Sequence, residues 1–164
     1  MCVGVGNAAL AQWADYDADG RLDLFTSDMD TAGQMRFWRR AEDGSFEDRT
    51  GEAGLTGIFG ALNIDHADFD NDGDLDVIAP RGGWMRKAGR HPKSLLWNDG
   101  HGKFTDGTYA AGLGKVYYPS QTVAVADYDN DGDLDIFFGN ELEEQSAFPS
   151  ELFQNNGDGT FTDV

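Results

Sequence analysis

Three short windows of this chain repeat one pattern of aspartates, and this repeat limits the available folds more than any other feature. The windows begin at residues 15, 68 and 127, and each has Asp at positions 1, 3, 5 and 9 with Gly at position 6. A period of about 50 to 60 residues indicates a chain built from similar supersecondary units. We predict one domain with repeats at about residues 4–56, 57–113 and 114–164, the last of them incomplete.

Each repeat contains short segments rich in β-branched and aromatic residues, bounded by Gly, Asp and Asn, which predicts strands rather than helices. In the third repeat we expect four strands, at residues 122–126, 134–138, 151–154 and from 161 onward. Four short antiparallel strands per repeat predict an all-β fold of β-propeller blades, with a β-solenoid as the alternative. Because a propeller usually needs about four to eight blades, we expect a partial propeller that other blades of a longer chain, or self-association, would close.

Charge and composition exclude several classes of partner. Thirty Asp and Glu against twelve Lys and Arg give a formal charge of −18, which excludes nucleic acid. The longest apolar runs, about four to six residues, are too short to span a bilayer, so we expect no membrane insertion. Residues 1–6 lack the basic flank and apolar core of a secretory signal. The single cysteine, Cys2, excludes an intramolecular disulfide and a cysteine zinc cluster.

Alternating aspartates followed by Gly at position 6 are the spacing of a calcium-binding loop, because alternate side chains of a curled segment point inward. We predict about three Ca²⁺ ions, each bound by the side chains at positions 1, 3, 5 and 9 and by the main-chain carbonyl at position 7. The predicted metal-binding residues are Asp15, Asp17, Asp19, Arg21 and Asp23 in the first window, Asp68, Asp70, Asp72, Asp74 and Asp76 in the second, and Asp127, Asp129, Asp131, Asp133 and Asp135 in the third.

An EF-hand and a magnesium site both fit the windows less well. An EF-hand loop ends in Glu at position 12, which here is Thr26, Ala79 or Phe138, and strand-like runs follow position 9. Magnesium prefers few protein ligands in near-octahedral geometry, so a four-carboxylate loop favours calcium. An acidic turn without metal stays open as the alternative.

At these residues the sequence resembles the FG-GAP/VCBS repeat proteins, which include the propeller blades of the integrin α-subunit head. The second repeat has Phe59-Gly60 before its window and Ala79-Pro80 after it. The run at residues 151–164 and the Ala-Gly-Leu motifs at 53–55 and 111–113 resemble the bacterial cartilage-acidic-protein-like, ASPIC/UnbV-associated family. The resemblance implies a calcium-bearing propeller outside the cell or at its surface that serves adhesion or binds a protein or carbohydrate ligand.

Segment 81–93 contains five of the twelve basic residues of the chain and is a candidate ligand-binding loop. Trp84 is the expected stacking surface, and Arg86 and Arg90 are expected to bind carboxylate or sulfate groups. The alternative is a solvated insertion whose positive charges pair with acids of a neighbouring blade. We expect no catalysis, because the motif acids are committed to the metal loops. A polysaccharide-acting calcium propeller and a purely structural scaffold remain the alternative functions.

Overall fold

Three four-stranded antiparallel sheets make up this protein, in a computed structural model that describes residues 8–28, 30, 32–83, 85–143 and 146–164. Within each sheet the neighbouring strands follow one another along the chain, apart from a small hairpin inserted in the third. This arrangement confirms the predicted all-β fold of propeller-like blades. Within the described residues, no helix is long and apolar enough to cross a lipid bilayer.

The strands have the following bounds. The first sheet consists of β1 (Ala8–Ala14), β2 (Asp23–Asp28), β3 (Arg36–Arg40) and β4 (Phe46–Asp48). The second sheet consists of β5 (Asp65–Ala67), β6 (Asp76–Ala79), β7 (Ser94–Asn98) and β8 (Phe104–Asp106). The third sheet consists of β9 (Ser120–Ala126), β10 (Asp135–Asn140), β13 (Glu151–Asn155) and β14 (Phe161–Asp163).

Two short elements lie in the connections between the second and third strands of a sheet. A 3-10 turn at Arg86–Gly89 follows β6, and a hairpin of β11 (Leu142–Glu143) and β12 (Ser146–Ala147) follows β10. The strand positions predicted for the third repeat agree with the sheet closely, whereas this hairpin was not predicted. Its strands have only two residues each, which is too short for an alternating pattern to be recognised in the sequence.

Apolar side chains pack between neighbouring sheets and form two core clusters. One cluster joins the first sheet to the second and includes the fully buried Phe25 and Leu55 with Leu96. The other joins the second sheet to the third and includes Ile78 and Phe138. Each sheet buries one face against the next, so the three blades stabilise one another as neighbours in a repeat protein do.

The Ala-Gly-Leu motifs form turns that dock onto the next sheet. The main-chain N–H of Phe104 donates to Ala53 O at 2.8 Å, and that of Phe161 donates to Ala111 O at 2.9 Å. Gly54, which follows Ala53 in the first of these motifs, has a φ of 77°, and a Cβ there would lie 2.6 Å from Phe104 O. Only glycine fits, because any side chain would meet both an unfavourable backbone conformation and the neighbouring strand.

A buried asparagine connects each later sheet to the one before it. Asn155 Nδ2 donates to Phe69 O at 2.8 Å in the second sheet's loop and to Leu134 O at 3.2 Å in its own. Asn98 makes the equivalent bond to Tyr16 O at 2.9 Å. At the same register in the first sheet stands Arg40, whose side chain is exposed.

Replacing this asparagine is expected to destabilise the chain. Asn155→Ala leaves two carbonyl oxygens without their donor, which costs about 1 to 3 kcal/mol and lowers the unfolding midpoint by about 2 to 12 °C. Differential scanning calorimetry measures the change. Arg40→Ala is the matched control, because it changes the equivalent position with an expected effect within about 0.5 kcal/mol. Equal losses in the two variants would contradict the proposed inter-sheet role.

Candidate metal centres

The three aspartate windows form loops that connect the first and second strands of each sheet. We call residues 15–23, 68–76 and 127–135 the first, second and third Asp loops. The residues at position 4, which are Ala18, Asn71 and Asn130, have φ between 55° and 61°. Position 6 is a glycine of positive φ in every loop. Two left-handed residues in close succession curl the main chain, so that the carboxylates at positions 1 and 3 turn toward each other.

The aspartate at position 1 organises the loop from inside. In the second loop, Asp68 Oδ1 accepts a hydrogen bond from Asp72 N at 3.1 Å and its Oδ2 accepts one from Gly73 N at 3.0 Å. Asp15 and Asp127 make the same pair of bonds. Local side-chain to main-chain bonds of this kind hold a tight turn without help from the rest of the fold.

The aspartate at position 9 opens the second strand and is buried in every loop, with exposed fractions of 0 to 2%. Asp135 Oδ2 accepts from Tyr128 N at 3.0 Å, and its Oδ1 accepts from Asn155 N at 2.8 Å. Asp23 and Asp76 make the equivalent bonds. Burial raises the pKa of Asp23 to about 6 and that of Asp76 to about 7. A buried carboxylate gains from a nearby cation, because the cation offsets the cost of removing its charge from water.

Each Asp loop brings three carboxylates close enough to hold a metal ion. In the second and third loops the groups combine positions 1, 3 and 9, and in the first loop they combine positions 1, 3 and 5. In each group the ligand oxygens lie within 4.8 Å of one another, and the members are Asp68, Asp70 and Asp76, then Asp127, Asp129 and Asp135, then Asp15, Asp17 and Asp19. All-carboxylate oxygen donors suit a hard cation such as calcium.

The other predicted metal-binding residues lie outside these groups. Asp72 and Asp131, at position 5, are exposed, and their Oδ1 atoms accept hydrogen bonds from the main-chain N–H at position 7. Two of the residues at position 7 differ in their side-chain contacts. Asp133 Oδ1 accepts from Asn71 Nδ2 at 2.7 Å, whereas the Arg21 guanidinium forms an ion pair with Asp19. That their main-chain carbonyls bind calcium stays a prediction.

The first loop also contacts an arginine that the sequence pattern did not predict. Arg39, on β3, forms an ion pair with Asp17, and its Nη2 donates to Asp19 Oδ2 at 2.7 Å. The hydrogen bond to Asp17 and the charge of that carboxylate raise the pKa of Arg39. Within the described ranges, no carboxylate of the second or third loop has such an ion pair. The signal that could have found this arginine is the pairing of the third and fourth strands, which places Arg39, Trp97 and Gln154 at equivalent positions of the three sheets.

A cavity of about 360 Å³ lies beside the first loop, between the first and second sheets. Asp17, Arg39 and Arg49 line it from the first sheet and its connections, and His101 and Lys103 line it from the second. Asp17 Oδ1 is buried and has no hydrogen-bond partner within the described part of the chain. The cavity therefore places basic side chains and an unpaired carboxylate oxygen around the same space.

The basic and aromatic residues of segment 81–93 lie in different surroundings. Trp84 lies outside the described residues, and Arg86 begins the 3-10 turn. Arg90 is exposed, donates from Nε to Tyr117 O at 3.2 Å and lies 5.7 Å from the centre of the Phe148 ring. The position of Arg90 on the surface is compatible with ligand binding, which stays a prediction.

Two further basic residues of this segment point into the protein. Lys93 is fully buried, and its Nζ lies 2.6 Å from Glu151 Oε2 in the third sheet. This pair matches the alternative in which positive charge of the segment is neutralised by a neighbouring blade. The Nε and Nη2 atoms of Arg81 are buried without a hydrogen-bond partner among the described residues, and burial lowers the pKa of this guanidinium.

Comparison with known proteins agrees with these loops and sheets. A family model described as an FG-GAP-like repeat matches residues 15–79 and 87–138. The chain is 33% identical over 113 residues to cartilage acidic protein 1 of Homo sapiens, an alignment that covers 68% of this chain and 16% of the human protein. The Mus musculus protein is 31% identical over 113 residues, and the Xenopus tropicalis protein is 33% identical over 100 residues. The chain thus spans less than a fifth of the length of these relatives, and it belongs to the FG-GAP-like repeat family.

Proposed function

We propose that this chain is part of an extracellular binding module whose blades are stabilised by calcium in the Asp loops. The observation that carries the proposal is the convergence of three carboxylates, with oxygens within 4.8 Å, at the same place in every blade. In the second and third loops, Asp68, Asp70 and Asp76 and their counterparts Asp127, Asp129 and Asp135 would hold the ion. The ion would neutralise carboxylates that otherwise repel one another in a chain of charge −18.

A location outside the cell is consistent with this chemistry. Extracellular calcium modules typically bind the ion with dissociation constants of about 10⁻⁴ to 10⁻³ M, so a structural role suits a calcium-rich environment. The matched relatives are named after cartilage, a tissue that consists largely of extracellular matrix. An integrin-like role in adhesion would use calcium in the same structural way. The calcium loops would stabilise the blades, and other loops of the blades would form the recognition surface.

The proposed recognition surface is the part of segment 81–93 that faces solvent. Arg90 carries an exposed positive charge close to an aromatic pair, Tyr118 and Phe148, whose ring centres are 5.7 Å apart. A cation next to an aromatic ring can bind carboxylate or sulfate groups. Phe148 is buried, so the partly exposed Tyr118 ring is the one that would contact the rest of the ligand. The ligand class that fits is an acidic carbohydrate or an acidic protein surface.

Alanine substitution tests this surface. The triple variant Trp84→Ala, Arg86→Ala and Arg90→Ala is expected to lose at least about tenfold in affinity for a sulfated polysaccharide such as heparin or for an acidic peptide, measured by surface plasmon resonance in calcium. The matched control is Trp13→Ala, Arg36→Ala and Arg49→Ala, which removes one tryptophan and two arginines from the first sheet and its connections. If the first variant binds every probe as the unmodified chain does, the recognition surface is elsewhere.

Burial of Lys93 and of the Arg81 guanidinium favours a second candidate, in which segment 81–93 is structural and these blades only complete a scaffold. The same experiment separates the two functions, since a scaffold would show no loss specific to the segment. Catalysis has less support, because the carboxyl groups with a raised pKa among the described residues, Asp23, Asp70 and Asp76, lie in the Asp loops.

A further inference from the structure

The three Asp loops differ in the charge that surrounds them, because two arginines contact the first loop, Arg39 from β3 and Arg21 from within the loop. Arg39 on β3 stands opposite Glu47, as Trp97 stands opposite Thr105 in the second sheet and Gln154 opposite Thr162 in the third. These three residues therefore occupy equivalent positions in their sheets. Gln154 reaches its own loop and donates to Asp129 Oδ2 at 2.5 Å, so the equivalence extends to the contact itself.

Only the first loop, among the described residues, receives a cation at this position. Arg39 bridges Asp17 and Asp19, and Arg21 adds a second guanidinium on Asp19. The side chains of these aspartates are 8% and 15% exposed, whereas Arg39 is 35% exposed. The guanidinium therefore neutralises partly buried carboxylates while it keeps contact with solvent.

The carboxylate geometry differs in the same loop. The second and third loops group positions 1, 3 and 9, with the buried aspartate of the second strand as a member. In the first loop the third member of the group is Asp19, which both arginines contact, in place of the buried Asp23. The charge difference and the change in grouping are separate observations that distinguish the same loop.

We propose that Arg39 is a tethered competitor for the cation of the first Asp loop, which therefore binds calcium more weakly than the other two. The inference rests on the proposed calcium function. Calcium affinity depends on the number of ligand charges, and a guanidinium on two carboxylates lowers the charge available to the ion. An ion entering the loop must break the two charge-assisted hydrogen bonds that Arg39 makes and then sit close to a like charge.

The surroundings of Arg39 make this a difference of affinity rather than a complete block. Arg39 lines the cavity of about 360 Å³ next to the loop and is partly exposed, so its guanidinium has space to leave the carboxylates. At high calcium the first loop is then expected to fill after the other two. The chain would carry two ions over a calcium range of at least about tenfold before it carries three.

Isothermal titration calorimetry of the whole chain with calcium tests the inference. We expect two stronger sites and a third that is at least about tenfold weaker. Arg39→Gln, which places the residue of the third sheet in the first, is expected to strengthen the third site at least about threefold, although Arg21 still pairs with Asp19. Arg40→Gln, at an exposed neighbouring position, removes the same charge and is expected to leave the third site weak.

Each other result overturns the inference. Three equivalent sites in the unmodified chain, an unchanged third site in Arg39→Gln, or equal gains in Arg39→Gln and Arg40→Gln would each contradict a competing role of Arg39. Melting in excess chelator gives a second readout that needs no bound calcium. There Arg39→Gln is expected to lower the midpoint by about 2 to 6 °C, because the loop loses the ion pair that neutralises Asp17.

The two readouts separate this inference from the proposed function. If no variant binds calcium but Arg39→Gln is still less stable in chelator, the calcium function fails and Arg39 is a structural ion-pair partner only. If calcium binds at all three loops alike, the calcium function stands and the inference alone is wrong.

Discussion

Saturating calcium is expected to raise the midpoint of thermal unfolding of this chain by about 10 to 20 °C above its value in excess chelator. An ion at 100 times its dissociation constant stabilises the folded state by about 2.7 kcal/mol per site, so two filled loops contribute about 5 kcal/mol. The unfolded loop cannot hold its carboxylates together, and the binding energy therefore becomes folding energy. The second and third loops supply most of this effect, because no described basic side chain forms an ion pair with them.

Differential scanning calorimetry over a calcium titration measures this shift, with magnesium at the same concentrations for comparison. Magnesium is expected to give a smaller rise, because it prefers fewer protein ligands and near-octahedral geometry. Asp70→Asn and Asp129→Asn are each expected to remove about half of the calcium-dependent shift. Asp43→Asn, in an exposed hairpin turn, is the control. A midpoint that does not respond to calcium would mean that the Asp loops are acidic turns without metal.

Removing the buried charge of Lys93 is expected to destabilise the chain by about 3 to 5 kcal/mol, or about 6 to 20 °C in the unfolding midpoint. Its Nζ lies 2.6 Å from Glu151 Oε2 and 4.8 Å from the centre of the Phe138 ring. Asn140 Nδ2 also donates to Glu151 Oε2, at 2.9 Å, and Glu151 Oε1 has no partner among the described residues. Lys93→Met therefore leaves a buried carboxylate with one hydrogen bond and no opposite charge.

A double-mutant cycle identifies the cause of this loss. The variant Lys93→Met with Glu151→Leu is expected to recover most of the stability, since it removes both buried charges and fills their space with apolar groups. The matched surface pair is Arg36 and Asp48, with side chains 44% and 38% exposed, where Arg36→Met is expected to cost less than about 1 kcal/mol. A double variant no more stable than Lys93→Met would show that packing, and not the unpaired charge, determines the loss.

Much of the geometry of the Asp loops could be predicted because it is local in the chain. Asp68 bonds to main-chain groups four and five residues ahead, and Gly73 takes the positive φ that such a turn requires. The loop thus depends on residues that stand next to one another in sequence. The same holds for the strands, whose composition and bounding turn residues predicted four strands per sheet and, in the third sheet, their positions.

Contacts between sheets could not be predicted in this way. Lys93 belongs to a basic segment that suggested a surface loop, yet its partner Glu151 is far away in sequence and lies in the third sheet. Arg39 precedes Arg40 on the same strand, and nothing in the local sequence distinguishes the one that contacts the first loop from the one exposed to solvent. The Lys93 pair depends on which side chains two sheets bring together, and the Arg39 contact depends on which side chains a strand brings to a loop.

The residue at position 2 of the Asp loops shows what the sequence determines and what the tertiary structure decides. The aromatic residue there is Tyr16, Phe69 or Tyr128, and the sequence by itself determined the repeat, the loop and the ring that follows its first aspartate. The tertiary structure decided that Tyr16 and Phe69 are 1% and 0% exposed while Tyr128 is 47% exposed. Loop geometry follows from bonds within nine residues, but burial follows from the next sheet, and no described sheet covers Tyr128.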